Sequence, residues 1–191
     1  MQRRPTNRIK TWNIPPNPNG EFRFIKINNC KNSGKTVIIG NVYRSPARNT
    51  QKFVEFYEEV LQILDKYKSK HIIISGDFNI DLIKHESDQF SQNLLDTAFK
   101  YGFAQTISRP TRVTDRSYTL IDHIYCNVIN KVVTSSIFTV DITDHLATSL
   151  TISLNANFDN SLRSNEGVKI LTKSRVSFVS LIKQIRKIFM N

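Results

Sequence analysis

The chain is poor in the residues that staple or punctuate proteins: its 191 residues include two cysteines, six glycines, six prolines, two methionines and one tryptophan. Cys30 and Cys126 form no metal-ligand spacing and are too few for a disulfide framework, so both are expected as free thiols of an intracellular protein. So little glycine and proline excludes a collagen-like or low-complexity chain. No stretch reaches the roughly 18 to 20 apolar residues that a membrane span needs. The opening Met-Gln-Arg-Arg-Pro-Thr-Asn-Arg has no apolar run behind it, as a secretory signal would. What is present suffices for one packed domain, with 39% hydrophobic and 10% aromatic residues.

Acidic residues are scarce at the two ends. Residues 1–10 carry Arg3, Arg4, Arg8 and Lys10 and no acid, whereas residues 155–191 carry seven basic residues against Asp159 and Glu166. Of the net charge of +11, the ends therefore hold +4 and +5 and the long middle only +2. A polyanionic partner or substrate is favoured over an acid-binding role, with solvated tails as the plainer reading of the flanks.

Along the chain, residues 11–20 hold three of the six prolines and read as a linker within a basic, proline-rich segment 1–20. Phe22 to Ile27 alternates as a half-buried strand, and Thr36 to Tyr43 is a β-branched run expected to be buried on both faces. Phe53, Phe56, Tyr57, Val60, Leu61 and Leu64 then recur at helical spacing up to about Lys68. The strand His71 to Ser75 and a helix from Asp88 to Lys100, closed by Gly102, follow. Further strands are expected at Leu120 to Asn127, Val132 to Val140 and Ala147 to Leu154. Strand, helix, strand, helix points to a layered α/β domain over residues 21–155, with residues 156–191 a polar boundary and a basic, apolar-striped helix.

Three places could carry chemistry. Gly76-Asp77-Phe78-Asn79 follows a buried strand, where an acid and an amide two apart can face one crevice; the alternative is a simple turn. In Leu120 to Tyr125, Asp122 shares a strand face with apolar neighbours and needs a partner, while His123 reads as packing or surface. In Ile142-Thr143-Asp144-His145 the adjacent acid and imidazole point apart, so Asp144 is expected to serve a ligand or metal. His145 would then face the substrate, oriented by another acid, for which Asp122 is the natural choice. His71 and His85 have no comparable setting.

The ordered set Asn41-Val42-Tyr43-Arg44-Ser45-Pro46, Gly-Asp-Phe-Asn, Thr119-Leu120-Ile121-Asp122-His123-Ile124 and Thr-Asp-His resembles the C-terminal part of the endonuclease/exonuclease/phosphatase family, a DNase I-like four-layer α/β sandwich. With Arg109-Pro110-Thr111-Arg112 leading into the third motif, the wording is similar to the endonuclease domain of LINE-type, jockey-like non-LTR retrotransposons over about residues 22–154. The resemblance implies hydrolysis of DNA phosphodiesters with Mg²⁺ or Mn²⁺, a nuclear setting and a downstream reverse transcriptase. By the same resemblance Asp77 would align or deprotonate water, Asn79 and Tyr43 would hold the phosphate, Asp122 would orient His145, His145 would stabilise the transition state, and Asp144 would support the metal. Arg112 and Arg116 are expected to contact DNA. The family's N-terminal half, with its metal-binding Glu, has no counterpart in the 42 residues before Tyr43, and Glu21 is not assigned to that role. The expectation is thus a C-terminal portion of the sandwich with exposed apolar faces and half a metal site. Two other readings stand beside it: a non-catalytic nucleic-acid-binding remnant and a phospholipid-cleaving enzyme.

Overall fold

The structure, a computed structural model, describes residues 9–14, 16–28, 35–128, 133–139 and 143–153. The expectations for the basic start, Cys30, the polar boundary and the basic helix lie outside those residues. Strands β1 (Ile9–Asn13), β2 (Glu21–Ile27) and β3 (Val37–Tyr43) lead into helix α1 (Thr50–Asp65). Strand β4 (His71–Asp77), a 3-10 turn at Leu82–Lys84, helix α2 (Gln89–Lys100) and strand β5 (Ala104–Gln105) follow. Then come β6 (Arg112–Thr114), β7 (Ser117–Thr119), β8 (Asp122–Cys126), β9 (Val133–Phe138) and β10 (Ala147–Ile152).

Six strands form one mixed sheet in the order β1-β2-β3-β4-β8-β5, while β6 pairs with β7 and β9 with β10. Among the described strands only β3 and β4 run parallel, and α1 makes the long connection that a parallel pair requires. Both helices start where a side chain can satisfy free backbone amides. Asn49 accepts from Lys52 N at 2.9 Å and Asp88 from Ser91 N at 2.8 Å. Gly102 closes α2 with φ 74°, the left-handed conformation expected of the residue past a helix end.

Alternation and register decide which side chains meet. Phe22, Phe24, Ile38, Ile72, Ile74 and Tyr125 share the face that packs on α1, where Phe53, Tyr57, Val60, Leu61 and Leu64 are fully buried. Phe22 stacks on Phe53, and Phe78 meets Phe53 and Tyr57 edge-on. Each such side chain contributes roughly 1.5–3 kcal/mol on burial. The opposite face carries Ile25, Ile39, Ile73 and Ile124, all buried, in one core with Leu150 and Ile152 of the second sheet. Ser135 Oγ donates to the Thr106 carbonyl at 2.5 Å, tying that second sheet to the strand beside β8.

Several expectations need correction. Residues 11–13 are not a linker: they lie in β1, paired with β2, and Trp12 packs against Phe24 and Tyr67. α1 stops at Asp65, and Tyr67 N returns to the Leu64 carbonyl. Burial on both faces of β3 holds through Gly40 and fails at Asn41 and Tyr43, where the strand leaves the core. The second sheet face does not lie open, since Ile39 and Ile73 are buried; the large exposed apolar side chains are scattered, with Ile83, Phe90 and Phe99 in the helical segments and Val113, Tyr118 and Phe138 in β6, β7 and β9.

Gly76 sits at positive φ, 153°, and a Cβ there would collide with the Val42 carbonyl on the neighbouring parallel strand. Gly76→Ala is therefore expected to cost about 3 kcal/mol or more. Urea denaturation of the two chains checks this.

Candidate active site

The sheet presents its polar groups at one end. Tyr43 closes β3 and Asp77 closes β4, and the parallel register sets them side by side. Asp122 opens β8 and is the antiparallel partner of Asp77. Tyr43, Asp77 and Asp122 thus form one rung across three strands, all on the face away from the helices. Glu21, the first residue of β2, extends the rung beyond Tyr43 and is separated from Asp77 by it.

Asp122 accepts from His145 Nδ1 at 3.0 Å, with both groups half-buried. With Nδ1–H committed to that carboxylate, Nε2 is the ring nitrogen left for the rung. The segment carrying His145 is held by its neighbours. Arg112 bridges to His145, Leu146 N donates to the Thr111 carbonyl at 2.6 Å, and Val113 N donates to the Asp144 carbonyl at 3.1 Å. Thr111, fully buried, also receives the amides of Ile121 and Asp122 on its Oγ1 at 3.2 and 2.9 Å. One hydroxyl therefore places Asp122 while its own carbonyl anchors the His145 segment.

Beyond β4 the chain turns sharply. Asn79 has φ 49°, a conformation that asparagine tolerates, and its amide N–H donates to Asp77 Oδ1 at 3.0 Å. Asn79 Nδ2 donates to the Arg44 carbonyl at 2.6 Å, and the same side chain also interacts with the Asp77 carboxylate. Burial pushes the Asp77 carboxyl above its ordinary pKa, and the facing Asp122 adds to the rise, while the Asn79 amide and His145 oppose it. Carboxylate oxygens of Asp77 and Asp122 and a ring nitrogen of His145 all lie within 4.8 Å of one another. Two acids and an imidazole this close form a compact donor set for a divalent cation.

Of the residues singled out from sequence, Asp77, Asp122 and His145 converge. Tyr43 and Asn79 border them, Tyr43 being 46% exposed. Asp144 stands apart from that group. Its exposed carboxylate takes a 2.6 Å hydrogen bond from Arg112 Nε, which holds its pKa below the ordinary value. Arg112 thus has a protein partner, and Arg116 lies at the exposed tip of the β6–β7 hairpin. His123 is core: it stacks on Phe78, its Nε2 lies 3.0 Å from the Ile80 and Leu120 carbonyls, and burial pushes its pKa down to about 4. Sequence reasoning missed Thr111 as a linchpin; its place after Pro110 was the sole signal.

A family model described as endonuclease-reverse transcriptase matches residues 37–149. The endonuclease domain of TRAS1, a telomere-specific non-LTR retrotransposon, is similar in fold at 17% identity and TM-score 0.59, covering 78% of this chain and 69% of that one. The human nocturnin catalytic domain with bound sulfate matches at 18% identity and TM-score 0.54, covering 78% and 62%. An endonuclease/exonuclease/phosphatase family protein from Leptotrichia buccalis matches at 18% identity and TM-score 0.52, covering 69% and 53%. No curated protein sequence matches the chain. At these identities the structures show a shared mixed-sheet α/β fold, and the chain spans only part of each relative.

The raised pKa of Asp77 has a definite sign in stability. A carboxyl held above its unfolded value contributes stability below that value, 3.8, and loses it as pH rises through the folded value. In EDTA, Asp77→Asn is therefore expected to melt at higher temperature than wild type at pH 7, with the gain shrinking toward pH 3. Destabilisation by His123, which runs the other way as pH falls from 6.5 toward about 4, is common to both chains and cancels in the difference.

Proposed function

This chain belongs to the endonuclease-reverse transcriptase family, within the DNase I-like endonuclease/exonuclease/phosphatase fold, and from that premise we propose that its rung of Tyr43, Asp77 and Asp122, completed by His145, hydrolyses phosphodiester bonds of DNA. The observation that carries the reading is the Asp122–His145 pair, 3.0 Å apart, set against Asp77 on the next strand. It combines a half-buried carboxylate able to accept a proton with an oriented imidazole able to face a phosphate oxygen.

A divalent cation fits this donor set, because Asp77 and Asp122 place two carboxylates side by side and the facing Asp122 raises the cost of charging Asp77. The carboxylates of Asp77 and Asp122 would hold Mg²⁺ or Mn²⁺, with Asp144 joining only by releasing Arg112. The ion would supply Lewis-acid neutralisation of the phosphate oxygens. Asp77 aligns the attacking water and takes its proton. Asn79 donates an amide hydrogen, and Tyr43 its exposed hydroxyl, to non-bridging oxygens. Asp122 orients His145 through Nδ1–H, so that the doubly protonated ring donates its Nε2–H to the charge that builds up in the phosphorane-like transition state. The β6–β7 hairpin, with Arg116 at its tip and Val113 and Tyr118 exposed, extends from the His145 segment as a DNA contact. A DNA substrate would be met in the nucleus, and the family description pairs such a domain with a reverse transcriptase. Among the described residues no helix is long and apolar enough to cross a membrane, and no feature of the rung favours a lipid substrate.

Nicking of supercoiled plasmid with and without Mg²⁺ tests the reading. Metal-dependent nicking is expected, abolished by Asp77→Ala and reduced by about 10²- to 10⁴-fold by His145→Ala. Binding that falls steeply with salt, with no nicking by a folded chain, would instead identify a non-catalytic remnant. Replacing Arg112 and Arg116 by Ala is expected to weaken DNA binding and change the cleavage pattern; an unchanged pattern and affinity would remove the hairpin from the interface.

A further inference from the structure

Arg44 follows Tyr43, lies outside the rung, and is only 4% exposed. Its side chain spends its donors on backbone carbonyls rather than on an acid. Nε donates to Phe78 at 2.8 Å and Nη2 to Asn79 at 2.6 Å, while Nη1 donates to Arg48 at 2.9 Å and Ser45 at 3.4 Å. The backbone of the same residue adds two more ties: its N–H donates to the Asp77 carbonyl at 2.9 Å, and its carbonyl receives Asn79 Nδ2 at 2.6 Å. All three carbonyls of Asp77-Phe78-Asn79 are therefore bound by one residue. The guanidinium also lies over the Phe53 ring, 5.9 Å from its centroid, which anchors the turn to α1.

Stability alone does not account for this choice. Well-packed apolar side chains of similar volume hold a core as well as a buried charge does, or better. What a guanidinium offers is a planar fork of donors in fixed directions, able to set several carbonyls at once. Asn79 at φ 49° turns its carbonyl toward that fork while its side chain points back to the Arg44 carbonyl.

We propose that Arg44 is a positioning residue for phosphodiester hydrolysis: its buried guanidinium clamps the Asp77-Phe78-Asn79 turn, so that the Asp77 carboxylate and the Asn79 amide stand ready before substrate arrives. This rests on the reading of the rung as a hydrolytic site. Arg44 touches neither substrate nor cation and acts through the turn.

Arg44→Lys keeps a buried charge and loses the fork; Arg44→Met supplies an apolar chain of similar length should the lysine variant fail to fold. In the full chain, Arg44→Lys is expected to lower kcat for plasmid nicking by about 100-fold while changing KM for DNA less than about threefold, because a displaced turn costs the chemical step and not DNA binding. Combined with Asn79→Ala, it should add no more than about a twofold loss beyond Asn79→Ala alone, since both act through one turn. Hydrogen exchange of the peptide spanning Phe78 and Asn79 should accelerate by more than the accompanying fall in melting temperature accounts for. Unchanged kcat, a loss confined to KM, or fully multiplicative losses in the double variant would overturn the proposal. Were the wild-type chain unable to nick, the reading of the site would fall and the catalytic part of the proposal with it. The exchange measurement would still judge the clamp, with unchanged exchange in Arg44→Lys refuting it.

Discussion

Because β3, β4 and β8 pair so that Tyr43, Asp77 and Asp122 share one rung, a slip of a single residue in any of the three would send a site side chain to the helical face, among Phe22, Phe24 and Tyr57. Lateral pairing thus matters more to this site than any local motif. The register is enforced from both sides of the sheet. Ile72 and Ile74 are sealed under α1, and Ile73 lies in the core of the opposite face, so neither face can trade places with the other. Gly76 contributes by letting β4 approach β3 closely just before the turn to Asn79.

The polar layer above this apolar base is organised by backbone groups. Thr111 joins the start of β8 to the His145 segment, and Arg44 joins the end of β3 to the turn after β4. In both cases one buried side chain satisfies several main-chain groups that the sheet ladder leaves unpaired. The acids themselves carry little of the structural load. Asp77 is held above its ordinary pKa by burial and, secondarily, by the facing Asp122. Sites that store such tension trade stability for chemistry.

Much of the scaffold was legible because its periodicities are strong. Phe53 to Leu64 repeats at helical spacing, Phe22 to Ile27 alternates, and Asn49, Asp88 and Gly102 mark helix ends through their own chemistry. Trp12 hid in a proline-rich stretch because β1 exists through pairing with β2, and pairing with a distant strand leaves no local pattern. The convergence of Asp122 and His145 was foreseeable from the need of each for a partner. The diversion of Asp144 to Arg112 was not, since it follows from where the β6–β7 hairpin folds back. Arg44 read as part of a strand-end motif, and nothing in the sequence signals that its donors reach residues more than thirty positions ahead.

The hairpin of β6 and β7 is fastened to the His145 segment by a bridge, two main-chain hydrogen bonds and the Arg112–Asp144 ion pair, while its far end stands free of the core. Such an attachment makes the hairpin and the imidazole one lever with its pivot at Thr111. Residues at the free end can then vary widely while the imidazole keeps its place against the rung, as the handle of a tool can be reshaped without resetting the blade.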